Sequence, residues 1–116
     1  MNPQKPLVTF FSDDADSFLK QLPQVDRQSI LGDCDIAEQG LIGFTRIKQI
    51  ANATTLWELQ ITVNGHSWCL LAFWDRRYID TDFLVFTHGF AMVNGQIPLR
   101  EIAKAMTYRQ YHFSLW

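Results

Sequence analysis

The chain has 116 residues, 47% of them apolar and 14% aromatic, which is enough for one packed core and too little for two. This composition excludes a disordered chain, and no apolar run approaches the length of a membrane-spanning helix. The formal net charge is −2, opposite in sign to the basic surface of most nucleic-acid-binding domains, so RNA or DNA could be held only by a local cluster of Lys and Arg.

The two cysteines and the N-terminus predict the compartment. Cys34 and Cys69 lie far apart and match no metal-binding spacing, which favours reduced thiols over a disulfide. The apolar segment Leu7–Phe11 is too short for the core of a signal peptide. We therefore expect a cytoplasmic protein that contains no metal or cofactor.

The first half of the chain predicts a strand followed by a helical hairpin. Leu7–Phe11 is β-prone, and Ser12 followed by two aspartates is typical of a helix start, where the helix dipole favours acids. Pro23 cannot continue that helix, and a second helix of apolar residues at helical spacing follows. Gly40 and Gly43 stand where a helix ends. The segment from Phe44 to Ile50 is interpreted as a short or irregular strand.

A β-hairpin is the clearest element of the sequence. Apolar and polar residues alternate from Trp57 to Val63, Asn64-Gly65 is the strongest two-residue turn signal, and Trp68–Trp74 returns with the same alternation. This turn places Ile61 opposite Trp68, Leu59 opposite Leu70 and Gln60 opposite Cys69.

The last third adds a strand, Phe83 to Met92, and a helix from Pro98 to about His112. The order of elements predicts an α+β fold: an N-terminal strand and helical hairpin, an antiparallel β-meander sheet and a C-terminal helix.

Two motifs in this last third are similar to a known family. The strand ends in His88-Gly89-Phe90, and after seven further residues the helix begins Pro98-Leu-Arg-Glu-Ile-Ala-Lys-Ala105. This layout resembles the C-terminal signature of the RelE/ParE/HigB superfamily of small toxins, and the phage-derived HigB-like branch most closely. Leu56-Trp-Glu-Leu59 in the hairpin matches a further motif of that branch.

The resemblance implies one RelE-like toxin domain over residues 1–116. It implies the toxin of a type II toxin–antitoxin system, an endoribonuclease that cleaves mRNA on the ribosome and is silenced by a small antitoxin with a helix-turn-helix domain. Several basic positions of the family pattern are replaced here, by Gln60, Cys69, Met92, Val93 and Gln96. Because cations stabilise the charge that develops on phosphate, these replacements predict weak or absent cleavage. The alternative is a non-catalytic protein-binding module on the same scaffold, which binds an antitoxin or inhibits a target as the ParE branch does.

Other residues could replace the missing cations. Arg46 and Lys48 precede the hairpin, where the family often carries basic residues, and the pair Tyr111-His112 is similar to pairs that contribute to catalysis in some HigB-like toxins. Gln110 stands where an acidic residue often precedes that pair. His88 has a side chain suited to acid–base work near neutral pH, with a hydrogen-bonded core histidine as the competing interpretation. The predicted catalytic residues are Arg46, Lys48, His88, Tyr111 and His112.

One face of the C-terminal helix is the predicted RNA-binding surface. Cations and aromatic rings alternate there at helical spacing, a combination that can grip a backbone and stack bases. An ordinary solvated helix face is the competing interpretation. The predicted RNA-binding residues are Arg100, Lys104, Tyr108 and Arg109.

Overall fold

The computed structural model describes residues 5–115, apart from the side chain of Thr54. It is an α+β fold in which a five-stranded sheet lies between two layers of helix. The strands are β1 Leu7–Phe11, β2 Ile47–Ile50, β3 Ala53–Val63, β4 His66–Asp75 and β5 Asp82–Ala91, and the helices are α1 Asp13–Gln21, α2 Gln24–Ile36 and α3 Leu99–Leu115.

The sheet is mixed, with strand order β1-β5-β4-β3-β2. The strands β2 to β5 pair antiparallel in chain order, but β1 pairs parallel with β5, so that Phe10 lies opposite Val85. The prediction of a purely antiparallel sheet is therefore wrong for β1. The reason is the helical hairpin, which carries the chain from β1 across one face of the sheet to the far edge and leaves β1 to pair with the last strand.

Local signals at the turns and caps are confirmed. The Ser12 hydroxyl accepts a hydrogen bond from the Ala15 amide at 3.1 Å, as a helix N-cap does. Asn64 and Gly65 both have positive φ, 51° and 81°, and the hairpin register is the predicted one, including Gln60 opposite Cys69. The chain beyond α2 turns through Gly40, which has a φ of 85°.

Helices cover both faces of the sheet. On one face Leu19 of α1 and Ile30 of α2 pack on Leu59, Leu70 and Phe86. On the other face Ala105 of α3 packs with Leu71, Phe73 and Val85. Among the described residues, no helix is long and apolar enough to cross a membrane.

A bulge in β5 alters which side chains face each helix layer. Leu71 pairs with His88 and its neighbour Ala72 with Phe86, so Thr87 is an extra residue in the ladder. Regular alternation along the strand would put His88 on the same face as Leu84 and Phe86, but the extra residue turns His88 towards α3. Gly89 consequently faces α1, where the Phe18 ring fills the space that a side chain would need.

Gly89→Ala tests this close approach. A Cβ built on Gly89 lies 2.7 Å from Phe18 Cγ, and the ring is held edge-on against Trp68, so we expect the variant to lower the free energy of unfolding by about 1–3 kcal/mol. Gly32→Ala is the matched control, because nothing lies within 4 Å of its Cβ, and in a helix it should stabilise by about 0.5–1 kcal/mol. Urea denaturation measures both, and equal effects of the two variants would contradict the packing described.

Candidate functional site

A first histidine–carboxylate pair joins β5 to the first turn of α3. His88, which is 3% exposed, lies with Nε2 3.1 Å from Glu101 Oε1 and Nδ1 2.8 Å from the Thr87 hydroxyl. Burial lowers the pKa of His88, and the nearby charge of Lys104 lowers it further, against the opposing effect of Glu101. The ring is therefore neutral at pH 7, with Nε2–H donating to Glu101 and Nδ1 accepting from Thr87.

A second pair joins the end of β4 to the last turns of α3. His112 Nε2 donates to Asp75 Oδ2 at 2.9 Å, and the Arg77 guanidinium donates to both oxygens of the same carboxylate at 2.8 and 2.9 Å. Asp75 is only 2% exposed. The hydrogen bonds from Arg77 hold the pKa of Asp75 well below its usual range, although burial acts to raise it. The hydrogen bond from His112 lowers this pKa further, by a smaller amount. A fixed carboxylate of this kind orients a histidine.

A groove beside α3 connects the two pairs. Tyr108 lines three adjoining cavities along the helix: one with Asp75 and His112, one with Ser12 and the first residues of α1, and one with His88, Lys104 and Tyr111. We call this continuous depression the α3 groove. It brings a histidine held by a carboxylate, a lysine and two tyrosines to one surface.

The predicted site residues divide into two groups. His88, Lys104, Tyr108, Tyr111 and His112 line the α3 groove. The Arg100 guanidinium lies 3.9 Å from Glu101. Arg109 faces another side of α3, with its guanidinium 5.0 Å from the Phe113 ring centroid.

Arg46 and Lys48 are engaged elsewhere. The Arg46 guanidinium donates to both oxygens of Asp33 and to Ser29, on the opposite side of the sheet from α3. Burial raises the pKa of Asp33, but the hydrogen bonds from Arg46 outweigh this and lower it overall. Lys48 Nζ lies 3.7 Å from Glu58 Oε1. Arg46 therefore ties β2 to α2 rather than contributing to the groove.

The residues predicted from the sequence omit Asp75 and Phe10, which line the groove, and Glu101, which accepts a hydrogen bond from His88. Asp75 stands at the end of an alternating strand, before Arg76-Arg77, and is 37 residues from His112. The signal in the sequence is that Asp75 continues the alternation of Leu71 and Phe73 along the strand. An acid at a buried strand position needs a partner, which predicts that Asp75 is paired.

The residues that replace the family's basic residues pack in the core or form a tight turn. Cys69 is fully buried beneath α3, and Glu58 beside it is buried as well, so this face of the hairpin is not an open surface. Met92 packs against the same core. Val93 and Gln96 pair across a tight turn at Asn94-Gly95, whose φ angles are 62° and 71°.

The cysteines supply no nucleophile to the groove. Both are buried free thiols, and burial raises the pKa of Cys34 to about 12 and also raises that of Cys69. Among the described residues, no group of three or more His, Cys, Asp and Glu is arranged to hold a metal ion.

No model of a protein family matches the chain, and no curated protein matches it.

The lowered pKa of His88 predicts how stability depends on pH. The folded state takes up the proton less readily than the unfolded state, whose histidine pKa is about 6.5. Stability should therefore fall as the pH drops below about 6.5, by at most about 1.4 kcal/mol per pH unit from this residue. Denaturant titrations between about pH 5 and 8 measure the slope, and His88→Gln should reduce it; a variant that keeps the full slope would contradict the assignment.

Proposed function

We propose that the protein is the toxin of a type II toxin–antitoxin pair and acts in the cytoplasm as an endoribonuclease on ribosome-bound mRNA. One arrangement supports the proposal. His112 is oriented by Asp75 and lines the α3 groove, which is also lined by Lys104, Tyr108 and Tyr111. The motif resemblance between Phe83 and Met106 supports the same family of activities, with a RelE-like scaffold. By that resemblance its partners are a small helix-turn-helix antitoxin, the ribosome and mRNA.

The chemistry of RNA cleavage assigns a role to each group. A base must take the proton of the ribose 2′-hydroxyl, an acid must protonate the leaving oxygen, and cations must stabilise the charge on phosphate. His112 suits proton transfer, because it lines the groove and its hydrogen bond to Asp75 fixes the orientation of the imidazole ring. His88, at 3% exposed, is better suited to hold α3 than to reach a substrate.

Lys104 is the cation of the groove that suits the phosphate. Among the described residues, most Lys and Arg side chains lie within 4.0 Å of a carboxylate, whereas Lys104 has no such partner. Its charge is therefore not held in a close ion pair, although Asp14 lines the same cavity. Tyr108 and Tyr111 lie about one and about two turns farther along α3 and offer aromatic rings to bases.

Asp75 supplies the carboxylate that is missing at position 110, where this chain has Gln110. In the HigB-like pattern an acidic residue often precedes the Tyr-His pair, and here the carboxylate comes from the end of β4 instead. This is a change of source and not of chemistry, because either carboxylate would orient the histidine.

The charge distribution favours a second candidate function, a non-catalytic binding module. Of the cations around the groove, Arg77 is bound by Asp75 and Arg100 lies near Glu101. Lys104 alone would leave weak stabilisation of phosphate charge. On this account the protein binds an antitoxin-like partner, and a stable complex with the product of the adjacent gene, from a chain without ribonuclease activity, would support it.

Substitutions in the Asp75–His112 pair test the nuclease. Induced expression should arrest bacterial growth and cleave mRNA, and His112→Gln or Asp75→Asn should reduce the cleavage rate by about 10²- to 10⁴-fold, because proton transfer is lost or misdirected. His66→Gln, at an exposed histidine stacked on Trp68, is the matched control and should cleave like the wild type. Circular dichroism checks that the variants fold. Absence of growth arrest and mRNA cleavage by the wild type would overturn the proposal.

A further inference from the structure

We infer that the part of the α3 groove beside His112 is a slot for one unstacked nucleobase. The inference rests on the proposed function, since it names the portion of the substrate that this surface recognises. The slot has a volume of about 250 Å³ and is lined mainly by rings: Phe10, Tyr78, Phe83 and Tyr108. We call these residues, with Val85, Asp75 and His112, the aromatic slot.

The rings of the slot come from separate elements, and two of them are open to solvent. Phe10 on β1 is 49% exposed and Tyr78 in the loop after β4 is 45% exposed, whereas Phe83 and Tyr108 are half-buried. Tyr78 meets Phe83 edge to face, with centroids 5.3 Å apart. Flat aromatic surfaces with open faces are the feature that single-stranded nucleic-acid binders use to stack bases.

The charge of the slot selects the class of ligand. Asp75 is the charged group that lines it, and both of its oxygens already accept hydrogen bonds from Arg77, while one accepts from His112 as well. The negative charge is thus compensated, so the slot does not attract a cation. Among the described residues, no lysine or arginine forms part of its lining, and the nearby Arg77 guanidinium, 5.9 Å from the Tyr78 ring centroid, is already bound by Asp75. A neutral planar ring with a polar edge fits these properties, and a nucleobase is such a ring.

The size and position of the slot agree with a single base. A volume of about 250 Å³ is small for a drug-sized ligand and far too small for a helix or a strand. Tyr108 joins the slot to the cavity that contains Lys104 and Tyr111. A nucleotide whose base occupies the slot therefore has His112 beside it and a lysine farther along the same groove.

This arrangement predicts a preference for unpaired RNA. A base can enter the slot only if it leaves its stack, which costs less in a single strand than in a duplex. The source of the base, a free nucleotide or an RNA strand, is decided by binding measurements on both.

The test measures binding separately from cleavage. Short single-stranded oligonucleotides with 2′-O-methyl sugars lack the attacking hydroxyl, so calorimetric titration gives their affinity whether or not the protein is a nuclease. We expect the wild type to bind such a strand and to bind a duplex of the same sequence at least about tenfold more weakly. We also expect a strand without bases to lose most of the affinity. Adenosine monophosphate and uridine monophosphate serve as free-nucleotide probes, and their binding at the slot would also support the inference.

Two phenylalanine variants assign the binding to the slot. Phe10→Leu keeps an apolar side chain on an exposed edge strand but removes the ring, and should weaken binding of the single strand by about 5- to 50-fold. Phe44→Leu is the matched control, at a ring that is 82% exposed in the short turn before β2, and should bind like the wild type. Tyr78→Leu tests a second wall in the same way.

The outcomes separate this inference from the proposed function. If Phe10→Leu and Tyr78→Leu weaken binding of the single strand and the wild type does not cleave natural RNA, the nucleobase slot is supported and the proposed nuclease activity is overturned. Cleavage by the wild type with binding unchanged in both slot variants overturns the slot and leaves the nuclease. Equal binding of strands with and without bases, or no binding of any probe by the wild type, also overturns the slot.

Discussion

The docking of α3 on the sheet is the constraint on which the rest of the structure depends. Within that helix, Ala105 is the fully buried residue, and Ile102, Tyr108 and Phe113 are only partly covered. Two histidine–carboxylate pairs supplement this contact, His88–Glu101 near its start and Asp75–His112 near its end. Hydrogen bonds to charged groups contribute about 1.5–3 kcal/mol each, comparable with the burial of one large apolar side chain. Polar contacts therefore supplement the apolar packing in fixing the position of α3.

This mode of attachment explains how α3 can be held in place beside an open groove. An apolar helix face would have packed down on β1 and β5, whereas a helix held at two points leaves the space between them open. The same partners that hold the helix also orient its side chains, since His112 faces the groove from its bond to Asp75. A histidine that is oriented by a carboxylate at the edge of an aromatic slot suits base recognition and proton transfer. Arg77 and Arg100 lie beside carboxylates, which limits the stabilisation of phosphate charge.

Local signals in the sequence predict much of this fold. The hairpin register follows from Asn64-Gly65 and the alternation around it, and the start of α1 follows from Ser12. The groove residues on α3 follow from helical spacing, because that period places Lys104, Tyr108 and Tyr111 on one side. What local patterns cannot predict depends on non-local pairing. The parallel contact of β1 with β5, the bulge that turns His88 to α3 and the pairing of Asp75 with His112 each require the assembled sheet.

Hydrogen–deuterium exchange tests the docking of α3 most directly. We would compare the wild type with the double variant Asp75→Asn, Glu101→Gln, which removes both anionic partners and keeps the shapes of the side chains. If the two pairs hold the helix, amide exchange in α3 should accelerate by at least about tenfold, with much smaller changes in α1 and α2, which pack on the other face. Unchanged protection in α3, or an equal loss of protection in all three helices, would contradict the account.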